Sequence, residues 1–210
     1  VKYVAKEFYR DRERYADRLY CSEDTFAVAD GMGIGKGGKV AAEKAIELVD
    51  RHRPFMSLGD VHLFFQRANR EIMEETARLG DQHIAGTTLS LISILNGAYI
   101  LGHVGDSRIY LWRDGWLELL TTDQIKHKGD KKYVSALGIE WKPDVVLREG
   151  EVKKGDIFLI ISDGAVNIFS DSELELIINP DIERSAEKLL GRYLETTPRE
   201  DLSFIIVRVD

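Results

Sequence analysis

The chain has 210 residues and a formal net charge of −7, from 29 Lys and Arg against 36 Asp and Glu, with 44% hydrophobic and 31% charged residues. A chain of this length buries roughly 70% or more of its unfolded surface, so it needs no cofactor merely to stay folded, and its one cysteine, Cys21, has no partner for an internal bridge. The acidic balance supplies no basic footprint for nucleic acid or an anionic membrane, and the cysteine usage points to a reducing, cytoplasmic compartment.

The first residues, Val1-Lys-Tyr-Val-Ala-Lys-Glu, carry too much charge for a signal peptide's apolar region. Lys2–Tyr9 and Thr25–Ala29 read as strands. Val40, Ala41, Ala45, Leu48 and Val49 repeat as a small-faced helix before Pro54, and Val61, Phe64, Phe65, Ala68 and Ile72 as a second that stops near Gly80. Gln82 to Val104 holds no formally charged residue, long enough to raise the question of a membrane span. Thr87, Thr88, Ser90, Ser93 and His103 answer against it, and Asn96-Gly97 predicts a hairpin of Thr87–Leu95 with Ala98–Val104. Asp114-Gly115 marks a second hairpin, joining Arg108–Trp112 to Trp116–Leu120. Ile157–Ile161 is a further strand, Ser170-Asp-Ser-Glu173 has capping-box spacing ahead of Leu174, Ile177 and Ile178, and Asn179-Pro180 stops that helix. A last helix carries Ile182, Leu189, Leu190, Tyr193 and Leu194, before a final strand Leu202–Val209. Strands, two helices, a meander, two helices and a strand predict an α+β layering with sheets inside and helix pairs outside. No repeat or linker divides it, so residues 1–210 read as one domain.

Asp30, Asp163 and Asp201 stand at ends of apolar strands, and Asp30-Gly31 and Asp163-Gly164 share one form. A carboxylate beside a freely approached carbonyl suits hard cations such as Mg²⁺ or Mn²⁺. Any single Asp-Gly is an ordinary turn signal, and it is their repetition at strand ends that points to a site. Gly33-Ile-Gly-Lys-Gly-Gly-Lys39 fits the first seven positions of a phosphate-binding loop, but Val40 stands where such a loop needs a hydroxyl for Mg²⁺. The five histidines have no HxxH or HExxH spacing, His103 reads as a packed histidine, and Cys21 lacks a base. Trp112, Trp116 and Trp141 read as core or sheet-face residues. The run Lys126-His-Lys-Gly-Asp-Lys-Lys reads first as a solvated loop, with an acidic or phosphorylated partner as the other reading.

Asp30-Gly-Met-Gly, Gly38 with Ala41-Ala42, Gly86-Thr-Thr, Val104-Gly-Asp-Ser-Arg-Ile-Tyr, Leu120-Thr-Thr-Asp-Gln, Ser135-Ala-Leu-Gly, Ile161-Ser-Asp-Gly and Glu200-Asp-Leu-Ser occur in this order over nearly the whole chain. The series resembles the metal-dependent protein phosphatases, the type 2C serine/threonine phosphatases, in their bacterial form. The resemblance implies a four-layer α-β-β-α sandwich of two antiparallel sheets flanked by helix pairs, with two Mn²⁺ or Mg²⁺ ions at one end. It implies that Asp30 bridges the ions, that the Gly31 carbonyl reaches one, and that Asp163 and Asp201 complete the other. It implies further that Asp17 falls in the metal–water shell, that Arg12 holds the substrate phosphate, and that Asp106 with Asp163 holds a third ion, as in bacterial members. A bridging water lowered in pKa by two cations attacks the phosphoryl group in line, and a planar guanidinium suits its oxygens.

The chain also departs from that pattern. Ala16 replaces a usual Glu, Tyr15 an Asn frequent in bacterial members, Ile34 a glycine and Leu202 an Asn, while Met32 stands where many eukaryotic members carry a histidine. The flap between Asp123 and Asp163 is short, so substrate selectivity is expected to be weak or supplied elsewhere. The expected activity is hydrolysis of phosphoserine and phosphothreonine on proteins, by a monomer without nucleic-acid or membrane partners. The rivals are a catalytically weak or inactive binding module of the same fold and the nucleotide-binding loop.

Overall fold

The structure, a computed structural model, describes residues 1–11, 13–33, 35–166, 168–196 and 200–210, with Lys128 through its backbone alone. One five-stranded antiparallel sheet runs in the order β1 (Lys2–Phe8), β14 (Leu202–Arg208), β13 (Ile157–Ile161), β8 (Arg108–Arg113), β9 (Trp116–Leu119). The other runs β12 (Val146–Glu151), β7 (Ala98–Val104), β6 (Leu89–Leu95), β3 (Thr25–Ala29), β2 (Arg18–Cys21). Two short ribbons complete the strands, β4 (Gly31–Met32) with β5 (Gly86–Thr87), and β10 (Ile125–Lys128) with β11 (Lys131–Val134). The helices are α1 (Gly37–His52), α2 (Leu58–Arg78), α3 (Asp163–Val166), α4 (Asp171–Ile177) and α5 (Ile182–Glu195).

Strand alternation builds the layers. Ile157, Leu159 and Ile161 point to Leu174, Ile177 and Leu189 of α4 and α5, while Phe158 and Ile160 point to Phe26, Ile92 and Leu101 of the other sheet. On that sheet's far face Ala27, Leu89 and Leu91 meet Ala41, Ala45 and Phe65 of α1 and α2. Both sheets are thus buried on both faces, which is why their inner strands read as continuous apolar runs, each large side chain contributing roughly 1.5–3 kcal/mol. The result is the expected α-β-β-α sandwich. Gly102 lets α2 lie close to β7, since a Cβ there would stand 2.5 Å from both Phe65 and Val61. Both hairpin signals hold: Asn96 and Gly97 have φ of 55° and 79°, Asp114 and Gly115 of 52° and 92°, the paired positive values of a type I′ turn. Ser170 and Glu173 form the capping box that opens α4.

Other expectations are corrected. The strand predicted from Thr87 is broken at Thr88, whose N–H donates to the Asp30 carbonyl at 2.9 Å, so the chain changes partner between β5 and β6. The basic run is no loop: β10 and β11 pair across a Gly129-Asp130 turn with φ of 61° at Gly129. Trp116 and Trp141 are 76% and 79% exposed, one beside the turn of an edge hairpin and the other on a connecting segment, whereas Trp112 packs under the α4–α5 layer. Asp163 opens α3 instead of a bare turn. The nucleotide-loop rival fails on topology, because β3 before the glycines pairs antiparallel with both neighbours. Among the described residues no helix is long and apolar enough to cross a membrane.

Candidate active site

The ends of inner strands from both sheets deliver the site. At the end of β3 the Asp30 carbonyl accepts hydrogen bonds from Thr88 N–H (2.9 Å) and the Thr87 hydroxyl (3.0 Å), and Asp30 N–H donates to Thr88 Oγ1 (3.1 Å). The Gly86-Thr-Thr sequence therefore fixes the backbone of Asp30 from a neighbouring strand. Gly31 must lack a side chain, because a Cβ would collide with the Gly38 carbonyl at the start of α1 and stand 3.0 Å from that of Ala16. At the other sheet Ser162 N–H donates to the Ser203 carbonyl and Ser203 N–H to Ser162 Oγ, both at 2.9 Å. Gly164 lies so close that a Cβ would strike the Asp201 carbonyl. Asp163 and Asp201 thus leave adjacent strands side by side, and Asp201 Oδ1 accepts the Arg10 N–H at 2.9 Å.

A clasp between residues distant in sequence brings in Asp17. The buried hydroxyls of Tyr15 and Ser203 hydrogen bond at 2.8 Å, and Asp17, 4% exposed, faces Asp30 and Ser203. Asp106 arrives from a third direction on the β7–β8 turn. Gly105, with φ of 123°, abuts Thr88 and exchanges hydrogen bonds with Gln124 at 2.8 and 2.9 Å. The neighbouring Asp123 grips Arg108 with two bonds of 2.9 and 2.8 Å.

The charges gathered here repel one another. Burial raises the Asp30 pKa well above the usual carboxylate range, and the adjacent Asp17 and Asp163 raise it further. Burial lifts Asp17 to about 6, with hydrogen bonds from Ser203 and Asp30 partly offsetting it and Asp163 and Asp201 adding to it. Asp106 is lifted to about 6 by burial and then by Asp163, and Glu200 rises for the same two reasons. Asp17 Oδ2 is buried without a hydrogen-bond partner among the described residues. An orphaned acceptor among crowded carboxyls is an arrangement that divalent cations relieve.

Among the described residues no three Asp, Glu, His or Cys side chains form a ready-made metal cage. The carboxyls instead interact in pairs, Asp30 with Asp17 and Asp30 with Asp163. Hard oxygen donors contributing one or two carboxylates per ion fit hydrated Mg²⁺ or Mn²⁺, which keep several waters.

Asp17, Asp30, Gly31, Asp106, Asp163 and Asp201 accordingly meet at one end of the sandwich. Arg12 and Ile34 lie outside the described residues. Glu200, Tyr15 and Ser203 join the site without having been assigned a part from sequence. His103 is a structural group: Nε2 donates to the Gly105 carbonyl (3.0 Å), the Ser90 hydroxyl sits 2.8 Å from Nδ1, and burial lowers the pKa to about 4. Burial alone pushes the Cys21 thiol up to about 12, consistent with an inert side chain.

A family profile described as protein phosphatase 2C matches residues 15–203. The chain is 28% identical over 221 residues to the serine/threonine protein phosphatase PstP of Mycobacterium tuberculosis, a match covering 94% of this chain and 43% of PstP, so the chain spans less than half of that relative. It is 26% identical over 176 residues to the serine/threonine phosphatase stp of Listeria monocytogenes, covering 72% of this chain and 70% of the relative. Among solved structures it is similar to M. tuberculosis PstP with a TM-score of 0.87 at 25% identity, covering 100% of this chain and 98% of that one. The PstP catalytic domain in complex with two manganese ions gives a TM-score of 0.86 at 27% identity, with the same coverage.

Proposed function

The chain belongs to the protein phosphatase 2C family, and from that membership we propose that it is a metal-dependent phosphatase that hydrolyses phosphoserine and phosphothreonine on proteins. The carrying observation is the group of carboxyls around Asp30, crowded enough to raise its proton affinity and that of Asp17 and Asp106. In this reading Asp30, the Gly31 carbonyl, Asp163 and Asp201 would hold two Mn²⁺ or Mg²⁺ ions, with Asp17 acting through water. Asp106 and Asp163 offer a third position. Bound divalent cations supply Lewis acidity, lowering the pKa of a water and neutralising phosphoryl oxygens.

The protein's own part is placement. Thr87 and Thr88 hold the Asp30 backbone at the end of β3. The Arg10 N–H fixes one Asp201 oxygen and leaves the other for a ligand. Arg12, two residues on, is assigned to the phosphate, where a guanidinium donates two parallel hydrogen bonds. Residues 1–210 act as one catalytic domain on phosphorylated proteins in cytoplasmic signalling, a setting that the single cysteine supports.

The deciding assay follows para-nitrophenyl phosphate and a phosphothreonine peptide with Mn²⁺, Mg²⁺ or chelator. Turnover is expected with metal only. Asp30→Asn and Asp163→Asn should each lower it by about 100-fold or more, beyond the 10–100-fold that supporting residues around a metal cost. A folded chain with no turnover in either metal would overturn the assignment.

A further inference from the structure

Away from the carboxylates, a groove of about 390 Å³ runs between α2 and residues 141–145. Its floor is Met73, with Val145 and Pro143 on the opposite wall. Trp141 stands at its edge, 79% exposed. The backbone that carries that indole is held in place. The indole ring rests on the His83 ring at 4.9 Å, and the buried Asn69 donates from Nδ2 to the carbonyls of Glu140 (2.9 Å) and Trp141 (3.4 Å) while accepting the Gly138 N–H (2.8 Å). A large aromatic on a fixed backbone offers apolar area at a set place, and Trp and Arg are the residue types that most often anchor interfaces.

The charged side chains that line the groove have one sign. Arg70 and Lys142 line it, no carboxylate does, and neither cation makes an ion pair among the described residues. The other two arginines of α2 are both paired, Arg67 with Glu71 and Arg78 with Glu75. Two unpaired cations beside an apolar floor, on a chain of net charge −7, call for an anionic occupant with an apolar body. The helix face from His62 to Met73 is about 16 Å long, the span of roughly five extended residues.

We propose that this groove docks a short acidic segment of the protein substrate, one large apolar side chain set against Trp141 and Met73 and flanking carboxylates on Arg70 and Lys142. Its use in catalysis rests on the phosphatase reading; the binding does not. The groove also shares a scaffold with the active site. Asn69 fixes residues 138–141, the adjoining Leu137 exchanges hydrogen bonds with Thr87 at 2.9 and 3.0 Å, and Thr87 holds the Asp30 carbonyl. Selectivity that the short flap does not supply would then come from the α2 face.

The test titrates the full chain, in chelator and low salt, into a fluorescein-labelled ten-residue peptide with a Leu-Phe centre between Asp and Glu residues. Saturable binding is expected, weakened about 10-fold or more for a Lys-flanked counterpart and in both Trp141→Ala and Arg70→Glu. Both variants are at exposed positions and leave the core intact. Equal binding of the two peptides, binding unchanged in the variants, or none up to about 1 mM overturns the proposal, and so does phenylacetate competing as tightly as the peptide, which would mark a small-molecule site. With no metal or phosphate present, this arm stands or falls apart from turnover. Appending the acidic segment to a phosphothreonine peptide should raise kcat/KM about 10-fold with para-nitrophenyl phosphate unaffected, and a rise that survives Arg70→Glu overturns the substrate assignment.

Discussion

Asp17 is placed by a chain of contacts that reaches across the molecule. Its carboxyl is buried, has one unpartnered oxygen, and sits beside a Ser203 hydroxyl that is itself fixed by Tyr15. Removing the Tyr15 hydroxyl leaves packing almost unchanged but frees Ser203 to rotate. Tyr15→Phe should therefore cost about 1 kcal/mol of stability, the worth of one buried hydrogen bond, and weaken Mn²⁺ binding several-fold, toward the 10–100-fold that partners of metal ligands cost. Calorimetric Mn²⁺ titration beside a thermal melt separates the two effects. Stability lost with Mn²⁺ affinity unchanged would make Tyr15 a packing residue only. Asp30 and Asp163 are legible in sequence because an Asp-Gly at the end of an apolar run is a local pattern, whereas Asp17 and Asp106 are reached only through the family resemblance. The Tyr15–Ser203 clasp is not legible, since it joins residues 188 apart, and one sequence carries no signal for such a pairing.

At the scale of elements, what burial leaves in the sequence decides legibility. β3, β13 and β14 are covered on both faces and stood out as apolar runs. β2, β12, β10 and β11 lie at edges or in an exposed ribbon, where a charge on every second or third residue costs nothing and erases the alternation. The Gly129-Asp130 dipeptide was the available clue to the β10–β11 hairpin. Glycines separate the same two regimes. Gly164→Ala forces a methyl against the Asp201 backbone, which cannot rotate away as a side chain can, and should cost roughly 1–3 kcal/mol while displacing Asp163 from Asp201. Gly191→Ala, inside α5 with open space around it, should stabilise by about 0.5–1 kcal/mol. Denaturant melts of the two variants check both signs, and a neutral Gly164→Ala would show that the β13–α3 junction is slack.

For the whole molecule, gathering strand ends from two sheets concentrates carboxylates whose repulsion the fold must bear. An unfolded aspartate titrates near 3.9, whereas Asp17 and Asp106 are raised to about 6 and burial among other carboxyls raises Asp30 well above its ordinary value. The native chain thus binds more protons than the unfolded one from about pH 4 upward, and the carboxyls' contribution to stability falls as pH rises through 6. His103 acts in the opposite sense. Its native pKa of about 4 lies below the unfolded 6.5, so its contribution is complete above 6.5 and is lost as pH falls toward 4. The two trends overlap, and the pH profile of the metal-free chain alone cannot separate them. Mn²⁺ can, because it replaces protons on the carboxyls and leaves His103 untouched. At about 100 times its dissociation constant a ligand stabilises by about 2.7 kcal/mol, or about 5–10 °C for a chain of this size. A Tm rise of that order is expected with Mn²⁺ at about pH 7.5, shrinking toward zero near pH 4.5 as protons compete for the same oxygens, and absent at both in Asp30→Asn. A rise independent of pH, or one retained in that variant, would place the ion outside the carboxylate cluster.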